Sequence, residues 1–405
     1  MRKNTKIVHY HNEIVRYWSK LNFILKRCLI DSESPDVDKL SQYLYVTFRI
    51  IWEHSSEKKI LSEIRDIDKE FLKRIKTFSW DKALIHKTEK EQLSILTATP
   101  TFMINQLLNV MDIDFLKGNL DFMNGLGKHI KITMRINKIH ENVNFQSLLT
   151  QIQKNLKNNK VNHHQDLNIP ELLWIPISQK NRVIKNSSYQ DGNLIFQDKA
   201  SAAVVQVISP KQEDKICDMC AAPGIKTSLI AQYMKNKGYV IAGEFLPKRA
   251  EIMRILLKKL KVLNVYILNT DSIVFPIRFQ EYFDYILLDA PCTGSGAFLA
   301  TPELKWRQNR SFLQQNITLQ KKLLESAISM LKPNGVLVYS TCSLYPEEGE
   351  YQILEFKDQL EPLDLPKWFS PSYKITNNCI QGTGRLFPAV HHTQGFFIGK
   401  FKKKG

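Results

Sequence analysis

Between Lys215 and Ser340 short apolar runs alternate with amphipathic helical stretches in regular order, and this alternation constrains the fold more than any other feature of the chain. The runs Lys215–Met219, Gly238–Glu244, Val265–Leu268, Tyr282–Asp289 and Val336–Ser340 have the length and near-continuous hydrophobicity of strands buried on both faces. Helical spacing separates them at Lys226–Met234, at Pro247–Leu260, where Ile252, Ile255, Leu256 and Leu260 are expected to point inward, and at about Ser311 to Leu331. Repeated βα units of this size predict an α/β fold with a parallel, doubly wound sheet, and Gly395–Phe401 supplies a last strand. In such a sheet ligands bind outside the carboxyl ends of the strands, so the polar segments that follow each run are where chemistry is expected.

The first 200 residues follow other periods. Ile14, Val15, Trp18, Leu21, Leu25 and Cys28 mark one buried helical stripe. Val37, Leu40, Leu44, Phe48 and Ile51 mark a second, begun at Ser34-Pro35-Asp36, and Ile60, Ile64, Ile67, Phe71 and Ile75 a third. From Ile130 to Ile136 apolar and polar residues alternate as in a half-buried strand, a helix carries Leu148, Leu149, Ile152 and Leu156, and Leu172–Ile175 is again apolar. Lys128, Lys131, Arg135, Lys138, Lys154, Lys157 and Lys160 lie along this stretch and suit a small RNA-contacting module or, equally, an ordinary α+β connector with a solvated face. The chain carries a net charge of +17, divided almost evenly between its halves, which favours a polyanionic partner met by a surface assembled on folding. Six irregularly spaced cysteines make no disulfide framework and are read as reduced thiols of a cytoplasmic protein. No run of about 18 apolar residues is present, so membrane insertion is not expected.

The first βα turn reads Cys220-Ala221-Ala222-Pro223-Gly224-Ile225-Lys226, small residues that let a backbone approach a ligand closely before a helix begins. It is neither a Gly-X-Gly-X-X-Gly turn nor a P-loop. Glu244 ends the next strand, where an acidic side chain binds ribose hydroxyls in dinucleotide folds, and Asp271 follows the third strand, placed for an adenine amine. A ribose without phosphate points to S-adenosyl-L-methionine, with Cys220 to Lys226, Glu244, Arg249, Asp271 and Asp289 as its expected contacts. Cys217 and Cys220 form a Cys-X-X-Cys without the second ligand pair that zinc requires, so no metal is expected. Two further cysteines follow strand ends: Cys292 in Asp289-Ala290-Pro291-Cys292-Thr293-Gly294-Ser295-Gly296, and Cys342 in Ser340-Thr341-Cys342-Ser343. If both face one crevice, they suit methylation of a pyrimidine carbon. A thiolate adds to C6 of cytosine, C5 becomes nucleophilic and takes a methyl group, and loss of the C5 proton lets the adduct eliminate. A carboxyl group must hold N3 of the ring, which Asp289 is placed to do, and a neighbouring cation such as Lys226 favours a thiolate.

Residues Asp218 to Thr227, Asp289 to Gly296 and Ser340 to Ser343 resemble the cofactor, Pro-Cys and Thr-Cys motifs of the NOL/NOP/Sun family of RNA cytosine-5 methyltransferases. Phe196–Ser201, Arg385-Leu386-Phe387-Pro388 and Thr393–Phe397 are similar to further motifs of that family, and the resemblance covers roughly residues 190–402, with Arg135-Ile136-Asn137 before it. It implies that Cys342 attacks C6 and that Cys292 assists release of the product; Lys226 and Asp289, from the chemistry above, are expected to complete the catalytic set. It also implies an RNA substrate, ribosomal or transfer, and a monomer. Two departures stand out: Ile225 replaces a glycine, so the backbone there must avoid positive φ, and Thr393-Gln394-Gly395 replaces Thr-Asp-Gly. The expected organisation is a helical module over residues 1–92, a small α+β RNA-contacting module over 93–190 and a Rossmann-like class I methyltransferase domain over 191–405. The rival expectation is a non-catalytic RNA-binding or ribosome-assembly factor that retains the fold.

Overall fold

A computed structural model describes the chain apart from residues 1, 30–34, 65–66, 126–129, 140–143 and 376–377, and apart from the side chains of 2–6. Ser34 and Lys128, used in the sequence reading, lie outside the described residues. The chain divides into two compact units, Met1–Asn124 with Phe298–Asn309, and Gly125–Ala297 with Arg310–Gly405.

The first unit is helical. Helices Arg2–Cys28 and Val37–Ile51 form where the first two stripes place them, and Leu21, Ile24 and Leu25 share a core with Leu44 and Phe48. The third stripe is interrupted: Glu57–Glu63 and Lys69–Lys76 are separate helices, with Ile64 extended at φ −131° between them. Asp68 accepts from the backbone N–H of Glu70 at 2.9 Å, and this cap restarts the helix although the apolar spacing runs through the break. Within the same unit the short helix Pro302–Arg307 buries Lys305, which donates to the carbonyls of Thr97 at 3.0 Å and Arg16 at 3.3 Å. Burial brings its pKa down to about 7. Among the described residues no helix is long and apolar enough to cross a membrane.

The second unit opens with an antiparallel sheet of β1 (Lys131–Ile136), β2 (His164–Gln165), β3 (Leu172–Pro176) and β4 (Leu194–Phe196) in the order β2-β3-β1-β4. Helix Phe145–Asn158 packs Leu148, Leu149, Ile152 and Leu156 onto Met134, Ile136 and Leu173 of this sheet. Arg135, read from the sequence as one of the RNA-facing cations, is instead fully buried. Its guanidinium donates to Ser228 Oγ at 2.8 Å and the Ile225 carbonyl at 3.3 Å, so it ties β1 to the helix that follows the cofactor turn.

The large sheet contains β5 (Lys215–Asp218), β6 (Tyr239–Gly243), β7 (Val265–Leu268), β8 (Phe283–Asp289) and β9 (Leu331–Thr341), all paired in parallel. β10 (Leu360–Pro362), β11 (Ser370–Pro371), β14 (Thr383–Leu386) and β15 (Phe396–Lys403) complete it, while β12 (Lys374–Ile375) and β13 (Asn378–Cys379) pair only with each other. The order is β11-β14-β15-β9-β8-β5-β6-β7, and β15 returns antiparallel to β9. The chain steps from β5 outward through β6 and β7 on one side and resumes at β8 on the other, which places the switch point, and with it the ligand crevice, between β5 and β8. Helix Pro247–Lys259 buries Ala250, Met253 and Leu257 rather than the expected Ile252 and Ile255, which are exposed. Residues 250, 253 and 257 form their own three- and four-residue stripe, and it is Met253 that the Gly224 turn approaches: a Cβ on Gly224 would lie 2.8 Å from Met253 Cγ.

Candidate active site

The cofactor turn is shaped by one left-handed residue. Gly224 has φ +97°, a conformation glycine adopts without a steric penalty, and Ile225 is then the first residue of helix Ile225–Tyr233. The positive φ falls one position before Ile225, so its β-branched side chain is tolerated. Asp218, at the end of β5, is buried and accepts from Thr227 Oγ1 at 2.7 Å. Burial, reinforced by the nearby Asp289 charge, pushes its pKa up to about 7.

Beside this turn is a cavity of about 340 Å³ lined by Met219, Cys220, Glu244, Arg249, Asp271 and Pro291 among others. Four of the residues expected to contact the cofactor, Cys220, Glu244, Arg249 and Asp271, line this cavity. Glu244 is buried, accepts from the backbone N–H of Leu246 at 2.8 Å and faces Arg249 Nη1 at 3.4 Å. Arg249 also donates to the carbonyl of Ala222 at 2.6 Å, which links the end of β6 to the turn. Asp271 caps the short helix Ser272–Val274 through Ile273 N at 3.0 Å. Ala221, Ala222, Pro223, Gly224 and Ile225 form the turn itself rather than the cavity lining. The volume lies in the range of small-molecule sites, and two carboxylates with one cation suit hydroxyls and an amine better than phosphates. Cys217 points into the apolar core, and among the described residues no group of three or more His, Cys, Asp or Glu is arranged to hold a metal ion.

The two strand ends meet. Asp289 and Ser340 are register partners on the parallel strands β8 and β9, and Ser340 Oγ donates to Asp289 Oδ1 at 2.7 Å. The other oxygen, Oδ2, holds Lys226 Nζ at 2.7 Å. Burial disfavours the Lys226 charge, but the Asp289 carboxylate outweighs it and the ammonium pKa is raised. Cys292 and Cys342 follow these two residues and bring their sulfurs to 3.2 Å, both half-buried. Its hydrogen bond with Cys342, and then burial, push the Cys292 thiol up, so it is held protonated at neutral pH.

The motifs quoted from later in the chain also converge here. Gly296 donates to the Cys342 carbonyl at 3.0 Å, and a Cβ on Gly296 would lie 2.2 Å from the carbonyl oxygen of Gly395. Thr393 Oγ1 donates to Asp198 Oδ1 at 2.6 Å, while Gln394 meets Asp198 only through its backbone N–H. That explains why the Thr-Asp-Gly departure leaves the contact intact. The buried pair Arg385–Glu350 fastens the loop after Cys342, with Arg385 donating to the Ser343 carbonyl at 3.0 Å. Sequence reasoning quoted Arg385 but missed Glu350, its buried partner, and Glu348 and Gln320, which hold Thr293 and Pro291 on either side of Cys292. The available signal was the acidic run Glu347-Glu348-Gly349-Glu350 directly after Cys342, too close to a buried strand end to be a solvated face.

Comparison with known proteins agrees with this geometry. The profile of the family described as 16S rRNA methyltransferase RsmB/F matches residues 205–402. A probable ribosomal RNA small subunit methyltransferase B from Synechocystis is 35% identical over 221 residues, covering 53% of this chain and 49% of that protein. A 28S rRNA (cytosine-C(5))-methyltransferase from Mus musculus is 36% identical over 227 residues, covering 53% of this chain and 28% of that protein. The chain therefore spans half or less of the length of these relatives. The crystal structure of PH0851 superposes with a TM-score of 0.80 at 25% identity, covering 99% of this chain and 90% of that one. The fold is that of a Rossmann-like class I methyltransferase, and residues 205–402 match the family described as 16S rRNA methyltransferase RsmB/F.

Proposed function

We propose that this protein methylates carbon 5 of a cytosine in ribosomal RNA, with S-adenosyl-L-methionine as methyl donor and a covalent bond between Cys342 and C6 as intermediate. The observation that carries the reading is the 3.2 Å approach of Cys292 and Cys342 at adjoining strand ends beside the Lys226–Asp289 pair. Binding RNA alone, as the assembly-factor reading requires, needs no thiols. The relatives are named for ribosomal RNA, which favours it over transfer RNA. The net charge of +17 supplies phosphate affinity, and a reducing cytoplasm keeps the thiols available.

The target base leaves its stack, at a cost of a few kcal/mol that is smallest in loops and bulges. Asp289, its two oxygens fixed by Lys226 and Ser340, takes the N3 edge of the ring, and the Lys226–Asp289 pair holds a proton there as electron density moves to N3. Cys342 Sγ adds to C6 and C5 becomes the nucleophile. S-adenosyl-L-methionine, when bound beside Glu244 and Asp271, supplies the methyl group. A water molecule acting as base then takes the C5 proton, that C–H pair forms the C5–C6 double bond, and the C6–S bond breaks. The protonated Cys292 thiol donates its proton to the departing Cys342 sulfur.

Bisulfite sequencing of ribosomal RNA from cells with and without the gene tests the reading. At least one cytosine should resist conversion only when the gene is present, and identical conversion everywhere contradicts it. The cofactor assignment has its own test: Glu244→Ala should weaken S-adenosyl-L-methionine binding in calorimetry by about 1–3 kcal/mol, as for a lost hydrogen bond to a charged group. Unchanged affinity would remove Glu244 from the site.

A further inference from the structure

Behind the thiols lies a buried carboxylate to which the proposed reaction gives no task. Glu348 is fully buried; its Oε1 accepts from the backbone N–H of Thr293 at 2.9 Å and its Oε2 from Thr293 Oγ1 at 2.5 Å. Gln320, also fully buried, donates Nε2 both to Glu348 Oε1 at 3.0 Å and to the carbonyl of Pro291 at 2.8 Å. The carboxylate and the amide thus grip the residues immediately before and after Cys292. Meanwhile the backbone carbonyl of Glu348 accepts from Tyr339 OH at 2.9 Å and Thr341 Oγ1 at 3.1 Å, on the strand that leads to Cys342.

One residue therefore holds the Cys292 segment with its side chain and the Cys342 strand with its backbone. The two are not equally anchored without it. Cys342 directly follows β9, which is hydrogen-bonded on both sides by β8 and β15. Cys292 sits in an irregular segment after β8, tied before it by Ala290 N to the Ser340 carbonyl and after it by Gly296 N to the Cys342 carbonyl and by Ser295 Oγ, which meets Ser343 Oγ at 3.0 Å and accepts from Leu344 N at 2.8 Å. Pro291 and Thr293, on either side of the thiol, are the residues Gln320 and Glu348 grip. Loosening the side-chain grip is expected to move Cys292 more than Cys342. Burying a carboxyl group is costly unless it is fully hydrogen-bonded, and an apolar side chain would fill the same space, so Glu348 calls for a purpose beyond packing.

We propose that Glu348, together with Gln320, is a positioning residue that sets the approach of Cys292 to Cys342 and thereby controls release of the methylated RNA from its covalent adduct. The inference rests on the covalent reading above. It separates two steps: addition and methyl transfer depend on Cys342, and elimination depends on where Cys292 is held.

The test compares Gln320→Met, Glu348→Ala and Glu348→Gln with wild type and Cys292→Ala. Each full-length protein is given ribosomal RNA extracted from cells lacking the gene and S-adenosyl-L-methionine labelled in its methyl group. The readouts are label transferred in the first turnover, steady-state turnover, and the fraction of protein linked to RNA on a denaturing gel. Gln320→Met and Glu348→Ala should keep first-turnover transfer within about threefold but lose about tenfold or more in steady state as adduct accumulates, since a 1 Å misplacement can cost about a hundredfold. Glu348→Gln should restore turnover, because its carbonyl still accepts from Thr293 N and the Thr293 hydroxyl can reverse to accept from the amide. Wild-type adduct levels in Gln320→Met and Glu348→Ala, or parallel loss of transfer and adduct, would overturn the positioning role. Should Glu348→Ala fail to bind cofactor, and so to fold, Gln320→Met decides alone. Absence of adduct in Cys292→Ala as well would locate the failure in the covalent reading itself.

Discussion

Replacing Cys342 by alanine is expected to abolish methyl transfer to RNA while leaving RNA affinity within about twofold, because phosphate contacts supply most of that affinity. C5 of cytosine is a poor nucleophile until a thiolate has added to C6, the step the proposed mechanism assigns to Cys342. Cys292 lies 3.2 Å away, but its hydrogen bond to Cys342 and its burial hold it as a thiol, so it does not substitute. Loss of a covalent nucleophile from a fixed constellation costs about 10⁴-fold or more in rate. The variant should still bind S-adenosyl-L-methionine, since Cys342 does not line the cofactor cavity. Scintillation counting of labelled RNA together with filter binding checks both halves, and undiminished 5-methylcytosine formation sinks the assignment.

Replacing Cys292 by alanine has a different expected result: the protein becomes trapped on its RNA. Addition and methyl transfer proceed at Cys342, but the departing sulfur loses the thiol that would protonate it. A slow-migrating protein–RNA species should then persist through denaturation and depend on cofactor, with steady-state turnover reduced by about a hundredfold or more, the scale of a lost general acid. Complete absence of that species during turnover argues against a role in release. The two cysteines are thus expected to have opposite mutant phenotypes although their sulfurs are in contact, and a purely structural thiol pair would give neither.

The strands of the catalytic sheet are legible in the sequence for a physical reason. β5, β8 and the second half of β9 are largely buried on both faces, so they read as apolar runs whose ends fall within a few residues of the observed ones, but β9 begins at Leu331, five residues before the expected Val336, and runs through Pro333-Asn334-Gly335, where the sequence reads as a turn. The polar residues after those ends were legible too, because nothing in a packed core calls for Asp289, Cys292 or Cys342 at a strand terminus. What failed was the reading of polar residues that are buried by partners distant in sequence. Arg135 looks like a surface cation in an alternating strand, and only the helix Ile225–Tyr233 packed against it makes it a core residue. Gln320 occupies an ordinary polar position of a long amphipathic helix, and Glu348 lies in an acidic run; their meeting at Thr293 is set by tertiary packing. Ile252 and Ile255 misled in the opposite sense, since hydrophobicity marked one face of the helix Pro247–Lys259 and close packing at Gly224 selected another. The joining of Phe298–Asn309 to the helical unit has no local signal at all.

The central claim is that Cys342, and not Cys292, bonds to C6 of cytosine. RNA carrying 5-fluorocytidine tests it most directly, because fluorine in place of the C5 hydrogen leaves no proton to remove and stops the reaction at the adduct. After incubation with S-adenosyl-L-methionine, nuclease and protease digestion followed by mass spectrometry should find the modified nucleotide on the peptide containing Cys342. Attachment at Cys292, or no attachment while unmodified RNA is still methylated, would contradict the account.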